Sequence, residues 1–206
     1  LHTANRGVSA ARNAALEIVR GDWFGFIDAD DAIEPDALET FAKLAKSGRF
    51  DVFQVNNAVN AGDSAGPAPT LSPTLSSTLS CTPKNILLDS ASRAWPWVRY
   101  YRRSVFGLLR FREGMRLRED LVFWCDALRV PKARWCVIDK PFYRYRRHAA
   151  SASRRVQDFH DKTDLIDAHI HATETLLALG GTREELARFA SQLDFGGIAA
   201  GYICSM

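Results

Sequence analysis

The chain has 206 residues, 47% of them hydrophobic and 25% charged, the make-up of a soluble globular protein with a substantial core, which excludes disorder of the chain as a whole. Its 27 basic and 24 acidic residues leave a formal charge of +3, too even a balance to indicate a nucleic-acid partner on charge alone. No run approaches the roughly 18 uninterrupted apolar residues of a membrane helix, and no basic segment followed by an apolar run marks a signal peptide.

From Val8, apolar residues recur at helical spacing (Val8, Ala11, Ala15, Ile18, Val19), with Ser9 near the start and Gly21 as a stop signal, which predicts a helix. The run Trp23, Phe24, Gly25, Phe26, Ile27 is too short for a second helix and reads as a buried strand of a parallel sheet, so that Asp28, Asp30 and Asp31 follow its C-terminal edge. Glu34, Pro35 and Asp36 start the next helix, because proline at the first helical position sacrifices no hydrogen bond; Leu38, Phe41, Leu44 and Ala45 mark its buried stripe up to Gly48. Residues 51–55 read as another strand. Helix, strand, helix, strand predicts an α/β layer structure in which ligands bind beyond the carboxyl ends of the strands, where the acidic cluster lies.

Residues 60–83 change character, with repeated Leu-Ser and Thr-Leu pairs and no charge between Asp63 and Lys84, and read as a flexible surface excursion. A mixed region rich in Trp, Tyr and Arg follows over 84–113, then a helix over 119–129, a strand over 134–138 and the segment Pro141, Phe142, Tyr143, Arg144, Tyr145, Arg146. Helical spacing returns at Leu165, Ile166, His169, Ile170, Leu176 and Leu177 and again over 184–193, so residues 154–206 are expected to form a small helical extension of the main domain, residues 1–153.

Three carboxylates within four positions repel one another unless a cation or solvent relieves them. Hard oxygen ligands of this kind suit Mg2+ or Mn2+, which take one or two protein carboxylates and keep positions open for a substrate's phosphates. The alternative is a capping and turn cluster, with Asp31 capping a short turn before Pro35. Glu119 and Asp120, without further context, are first-turn acids that favour a helix N-terminus. The arginines crowded over 99–118 and 144–155 suit either an anionic ligand or surface, or an ion-paired solvated face. Trp95, Trp97, Tyr100 and Tyr101 offer a sugar-stacking wall or core packing. The five histidines show no metal or triad spacing; His169 and His171 fall on different faces of one helix, and His148 offers a weak phosphate contact. Cys81, Cys125, Cys136 and Cys204 lack paired spacing, which suits a reducing compartment and a cytoplasmic location.

Two stretches then become specific: N-x-G-x-S-x-A-R-N-x-A-L-E from Asn5 to Glu17, and F-I-D-A-D-D from Phe26 to Asp31, leading into Pro35, Asp36, Leu38 and Glu39. With Trp97 to Arg103, Phe111 to Gly114, Arg118 to Phe123 and Asp139 to Tyr145, they resemble the family 2 glycosyltransferases of the GT-A fold over roughly residues 4 to 153. The resemblance implies a GT-A-like α/β fold, a mostly parallel sheet flanked by helices, and transfer of a sugar from a nucleotide-diphosphate donor to a saccharide or other hydroxyl acceptor, with inversion and a divalent metal. It implies Asp28, Arg12 and Gly7 on the donor side, Asp30 and Asp31 as carboxylates for Mg2+ or Mn2+, Asp120 as the base that deprotonates the acceptor, and Glu119 and Trp97 on the acceptor side.

The family opens with a strand, a helix and a second strand that bind the nucleotide base, and nothing matching them precedes Leu1. An N-terminally truncated fold is therefore expected, prone to self-association through its exposed edge. A non-catalytic saccharide-binding or interaction domain derived from that fold is the alternative. A phosphatase of the DxD type fits poorly, because no hydroxyl residue stands beside Asp30. Basic clusters that rest against anionic lipid would give peripheral contact with the inner face of a membrane.

Overall fold

The computed structural model describes residues 4–60, 79–90, 95–146 and 159–192. Its elements in chain order are α1 (Val8–Ile18), β1 (Trp23–Gly25), β2 (Ala32–Ile33), α2 (Ala37–Lys46), β3 (Val52–Asn60), β4 (Leu79–Cys81), α3 (Pro83–Ser90), a 3-10 turn (Pro96–Val98), β5 (Arg99–Arg102), α4 (Arg103–Phe106), α5 (Glu119–Leu128), β6 (Trp135–Tyr145), α6 (Phe159–Ala178) and α7 (Arg183–Gln192).

The strands form one sheet in the order β1, β5, β3, β6, β2, with β4 also on β6. The α/β layer architecture is the one expected, but the sheet is mixed: among the described residues only β3 and β6 pair in parallel, while β5 runs antiparallel to both β1 and β3. β5, a four-residue strand in the Trp/Tyr/Arg-rich stretch, inserts between β1 and β3, and β2 and β4 also run antiparallel to β6. β6 is longer than its expected 134–138 and carries the aromatic-basic segment up to Tyr145 as strand. Of the excursion expected over 60–83, residues 61–78 lie outside the described residues, as does His148; residues 79–81 pair with β6, and α3 starts at Pro83.

Alternation along β3 sends Val52 into one core and Phe53 and Val55 into another. The first core is the larger and gathers Phe24, Tyr101, Phe106, Trp135, most of α5 and Ala168, Ala172 and Leu176 of α6. α5 is buried almost all round, at Leu121, Val122, Phe123, Trp124, Cys125, Ala127 and Leu128, as a helix covered by a second helix must be. On the opposite face α2 seats Ala37, Phe41, Leu44 and Ala45 against Phe53. Leu38, expected in that stripe, is 59% exposed: with Ala37, Phe41, Leu44 and Ala45 spaced i, i+4, i+7, i+8, it stands one residue, about 100°, off the buried line.

Among the described residues, Arg99, Arg102, Arg110 and Arg144 of the basic clusters have partners within the fold. Arg99 is buried, donates to Gln54 Oε1 (2.9 Å) and the Trp95 carbonyl (2.9 Å), and lies 4.1 Å over the Trp124 ring; burial pushes it down to about 10, so it stays a cation at neutral pH. Arg102 and Arg134 converge on Asp51, and Arg134 above all holds that buried carboxyl below the usual carboxylate range. Arg110 pairs with Glu17, and Arg144 with Glu34. No helix among the described residues is long and apolar enough to cross a membrane.

Candidate functional site

β1 ends at Gly25, where the chain leaves the sheet, and Phe26 anchors the departing loop by packing on Phe111 and Phe123 at centroid distances of 5.2 and 5.9 Å. The next residues make a turn in which the Asp31 N–H donates to the Asp28 carbonyl (3.1 Å). This brings Asp28, Asp30 and Asp31 to the carboxyl end of β1.

The turn rests on Tyr143, a residue to which sequence reasoning gave no role. From β6 its buried hydroxyl accepts from the Asp28 N–H (3.1 Å) and donates to Asp31 Oδ2 (2.6 Å), using both halves of its hydrogen-bonding capacity on one loop. Burial and the bond to Asp31 push the Tyr143 phenol up, so it remains a proton donor at all ordinary pH. The other Asp31 oxygen, Oδ1, accepts from the Arg146 N–H (2.7 Å). Trp97 stacks on Tyr143 at 4.1 Å, on Trp95 at 5.0 Å and on Tyr145 at 6.0 Å. Trp97, expected on the acceptor side, is 6% exposed and reaches the acidic loop through Tyr143. Tyr101, from the same aromatic group, is wholly buried in the core, and Tyr100 packs on Phe41.

On the other side of the loop, α1 presents Arg12. Its Nη2 donates to Asp28 Oδ1 (3.3 Å) and its Nη1 to Glu119 Oε1 (2.9 Å), and the guanidinium lies 5.2 Å over the Phe111 ring. Glu119 and Asp120 form the first turn of α5, so one arginine ties together two acidic groups separated by 91 positions in sequence (119 − 28). The ion pair is largely shielded, with Arg12 and Glu119 side chains 14% and 13% exposed. Asp120 follows Glu119 on α5, with Oδ1 accepting from the Leu121 N–H (2.7 Å). Gly7 is the residue before α1; its φ of 90° is in the range that favours glycine, and no atom would crowd an added Cβ, so its constraint is conformational.

Burial pushes both Asp28 and Glu119 up from the ordinary carboxylate range, in Glu119 reinforced by the charge of Asp120 and in both opposed by Arg12. A folded pKa that is raised stabilises the fold fully below the ordinary carboxylate range, and this contribution disappears as pH rises through the folded value. Glu119→Gln is therefore expected to unfold at a higher urea midpoint than the unaltered chain at pH 7, with the gap closing towards pH 4. A lower midpoint at pH 7 would mean that the ion pair to Arg12 outweighs the burial of the charge.

Among the described residues no group of three or more His, Cys, Asp or Glu converges to cage a metal. The acidic loop instead fits an ion that takes one or two carboxylates and fills its remaining positions with phosphate and water, as Mg2+ does. Asp31 is suited to such a place because donors on both its oxygens fix its orientation, the way outer hydrogen bonds orient a metal ligand. Asp30 is exposed at the tip of the same turn.

Residues 1–109 match the profile of the family described as glycosyl transferase family 2. The glycosyltransferase YibD of Escherichia coli is 32% identical over 161 residues, 75% of this chain and 46% of that protein. EpsH of Bacillus subtilis, a putative glycosyltransferase by name, is 27% identical across 100% of this chain and 59% of its own. The succinoglycan biosynthesis protein ExoO of Rhizobium meliloti is 28% identical over 88% of this chain and 53% of its own. The chain thus spans about half the length of the curated relatives it matches. Among solved structures, S. aureus TarS 1–349 in complex with UDP-GlcNAc superposes with a TM-score of 0.67 at 19% identity, over 87% of this chain and 53% of that one. The same protein without ligand gives 0.68 at 20% identity, over 96% of this chain and 54% of that one. The shared fold is the GT-A-like α/β architecture.

Proposed function

Since the chain belongs to glycosyl transferase family 2, we propose that it carries the diphosphate and acceptor side of a site that transfers a sugar from a nucleotide-diphosphate donor to a hydroxyl acceptor, with inversion. The observation that carries this reading is the double ion pair of Arg12, which ties the acidic loop to the acidic start of α5. Inverting transfer needs those two acidic groups on opposite sides of the reacting carbon, one near the leaving diphosphate and one near the incoming hydroxyl.

In this reading Asp30 and Asp31 hold Mg2+ or Mn2+. When bound, the ion offsets the negative charge that develops on the departing diphosphate. Asp28 lies beside the donor's ribose and diphosphate. Arg12, already spanning both acidic groups, has the planar fork that meets a phosphate in bidentate fashion, and Gly7 sets the start of the helix that carries it. The acceptor O–H attacks the anomeric carbon as the bond from that carbon to the diphosphate oxygen breaks, and the proton passes to Asp120. Glu119, held by Arg12, orients Asp120 and contacts the acceptor. The fold likeness to TarS in complex with UDP-GlcNAc supports a donor of the UDP-sugar class, and the likeness to the succinoglycan biosynthesis protein ExoO supports a saccharide acceptor in polysaccharide synthesis.

The test is release of UDP from a panel of UDP-sugars with Mn2+, with and without short oligosaccharides. Acceptor-stimulated release is the expected result. Saccharide binding in calorimetry with no release from any donor would instead favour a non-catalytic saccharide-binding domain.

A further inference from the structure

α5 begins without a side-chain cap. Arg118, the residue before it, sits at φ 63, and residues 112–118 form neither helix nor strand, with Gly114 at φ 90. The acids Glu119 and Asp120 therefore depend for their position on an irregular segment, whose backbone must be fixed from outside. At one end Asn13 on α1 fixes it by a two-way pair with Phe111: Nδ2 donates to the carbonyl (2.9 Å), and Oδ1 accepts from the N–H (2.7 Å). At the other end stands Asp164, in the second turn of α6. It is 6% exposed, and its Oδ2 accepts from the Arg116 N–H at 2.7 Å, two residues before the helix cap. His160, one turn earlier on α6, brings Nδ1 within 3.4 Å of the same oxygen.

A buried carboxylate directed at one backbone N–H is costly unless the bond is strong, and a charge-assisted bond to a backbone N–H is among the strong ones. α6 and α5 share one core, so this bond transfers the rigidity of the helix pair to the segment leading into Glu119.

We propose that Asp164 is a positioning residue for the reaction, fixing the 114–118 backbone so that Glu119 meets Arg12 and Asp120 is held beside it in the first turn of α5. This rests on the reading of Asp120 as the base. It assigns a role to the C-terminal helices, beyond covering the core: they set the geometry of the acceptor side through one hydrogen bond.

The test compares Asp164→Ala and Asp164→Asn in the full chain by amide hydrogen exchange and by UDP release from UDP-glucose. The alanine variant leaves the Arg116 N–H without its acceptor, and exchange across 115–122 is expected to quicken about tenfold or more while peptides of β3 and β6 change by less than about threefold. Its kcat is expected to fall about tenfold with KM within about twofold, the pattern of a mispositioned catalytic group rather than lost binding. Asparagine retains an acceptor oxygen and is expected to recover most of both. Unchanged exchange over 115–122 in Asp164→Ala would overturn the proposal, as would equal loss of protection throughout the sheet with no recovery in Asp164→Asn. Turnover that survives Asp120→Asn would remove the base assignment, and the exchange data would then decide the anchoring by themselves.

Discussion

Asp120→Asn is expected to leave UDP affinity within about twofold of the unaltered chain and to cut acceptor-dependent UDP release by roughly a hundred- to ten-thousand-fold, the usual size of a lost general base. The substitution keeps the side chain's volume and an oxygen able to accept from the Leu121 N–H, so α5 keeps its start. The price in stability is confined to the favourable interaction of a carboxylate with a helix N-terminus, about 0.3 to 1 kcal/mol. Donor binding is expected to survive because the acidic loop stands on Tyr143, Arg146 and Arg12, none of which bonds to Asp120 in the structure. Glu119 is poorly placed to substitute: its Oε1 accepts from Arg12, which commits the group to orienting the site. Steady-state rates beside a calorimetric titration of UDP separate the two effects, and retained turnover would assign the proton to another group.

Much of this site was legible in the sequence because its parts are local. Helical periodicity marked α1, α5 and the pair α6 and α7, and the apolar run before three aspartates marked β1 and the ligand end of the sheet. What the sequence hid lies in long-range pairing. Tyr143 reads as one aromatic residue in a basic segment; only β6 brings its hydroxyl across 112 positions to Asp31. The resemblance put Arg12 on the donor side, and nothing in its local pattern reveals that it pairs with both Asp28 and Glu119. Trp97 shows the converse difficulty: an aromatic residue carries the same local signal whether it lines a ligand or packs under a loop, and its stacking on Tyr143 was not legible in that signal. β5 escaped because Arg99, Tyr100, Tyr101 and Arg102 set two adjacent aromatics between two arginines, which gives neither an apolar run nor a period of two, yet it inserts between β1 and β3 antiparallel to both.

Asp30→Ala is expected to abolish the gain in nucleotide affinity that a divalent ion confers, while leaving the fold intact. Asp30 is an exposed residue of a turn whose backbone is held by its neighbours, and removing its charge lessens a repulsion that helps to push Asp28 up. Asp31 has a second task in bonding Tyr143 and Arg146, so its substitution would disturb the loop as well as the ion. Asp30, the more exposed of the two, is therefore the probe chosen for metal binding. Coupling between two ligands at one site is typically about 1 to 3 kcal/mol, roughly five- to 150-fold in affinity, and by linkage UDP must tighten Mn2+ by the same factor. The decisive measurement is calorimetric titration of UDP into the unaltered chain and into Asp30→Ala, each with Mn2+ and after its removal by chelation. A Kd that tightens with Mn2+ by a factor in that range in the unaltered chain, and not at all in the variant, is the expected result. A Kd indifferent to Mn2+ in both, or an equal gain in both, would contradict the assignment of the acidic loop to a metal-bound diphosphate.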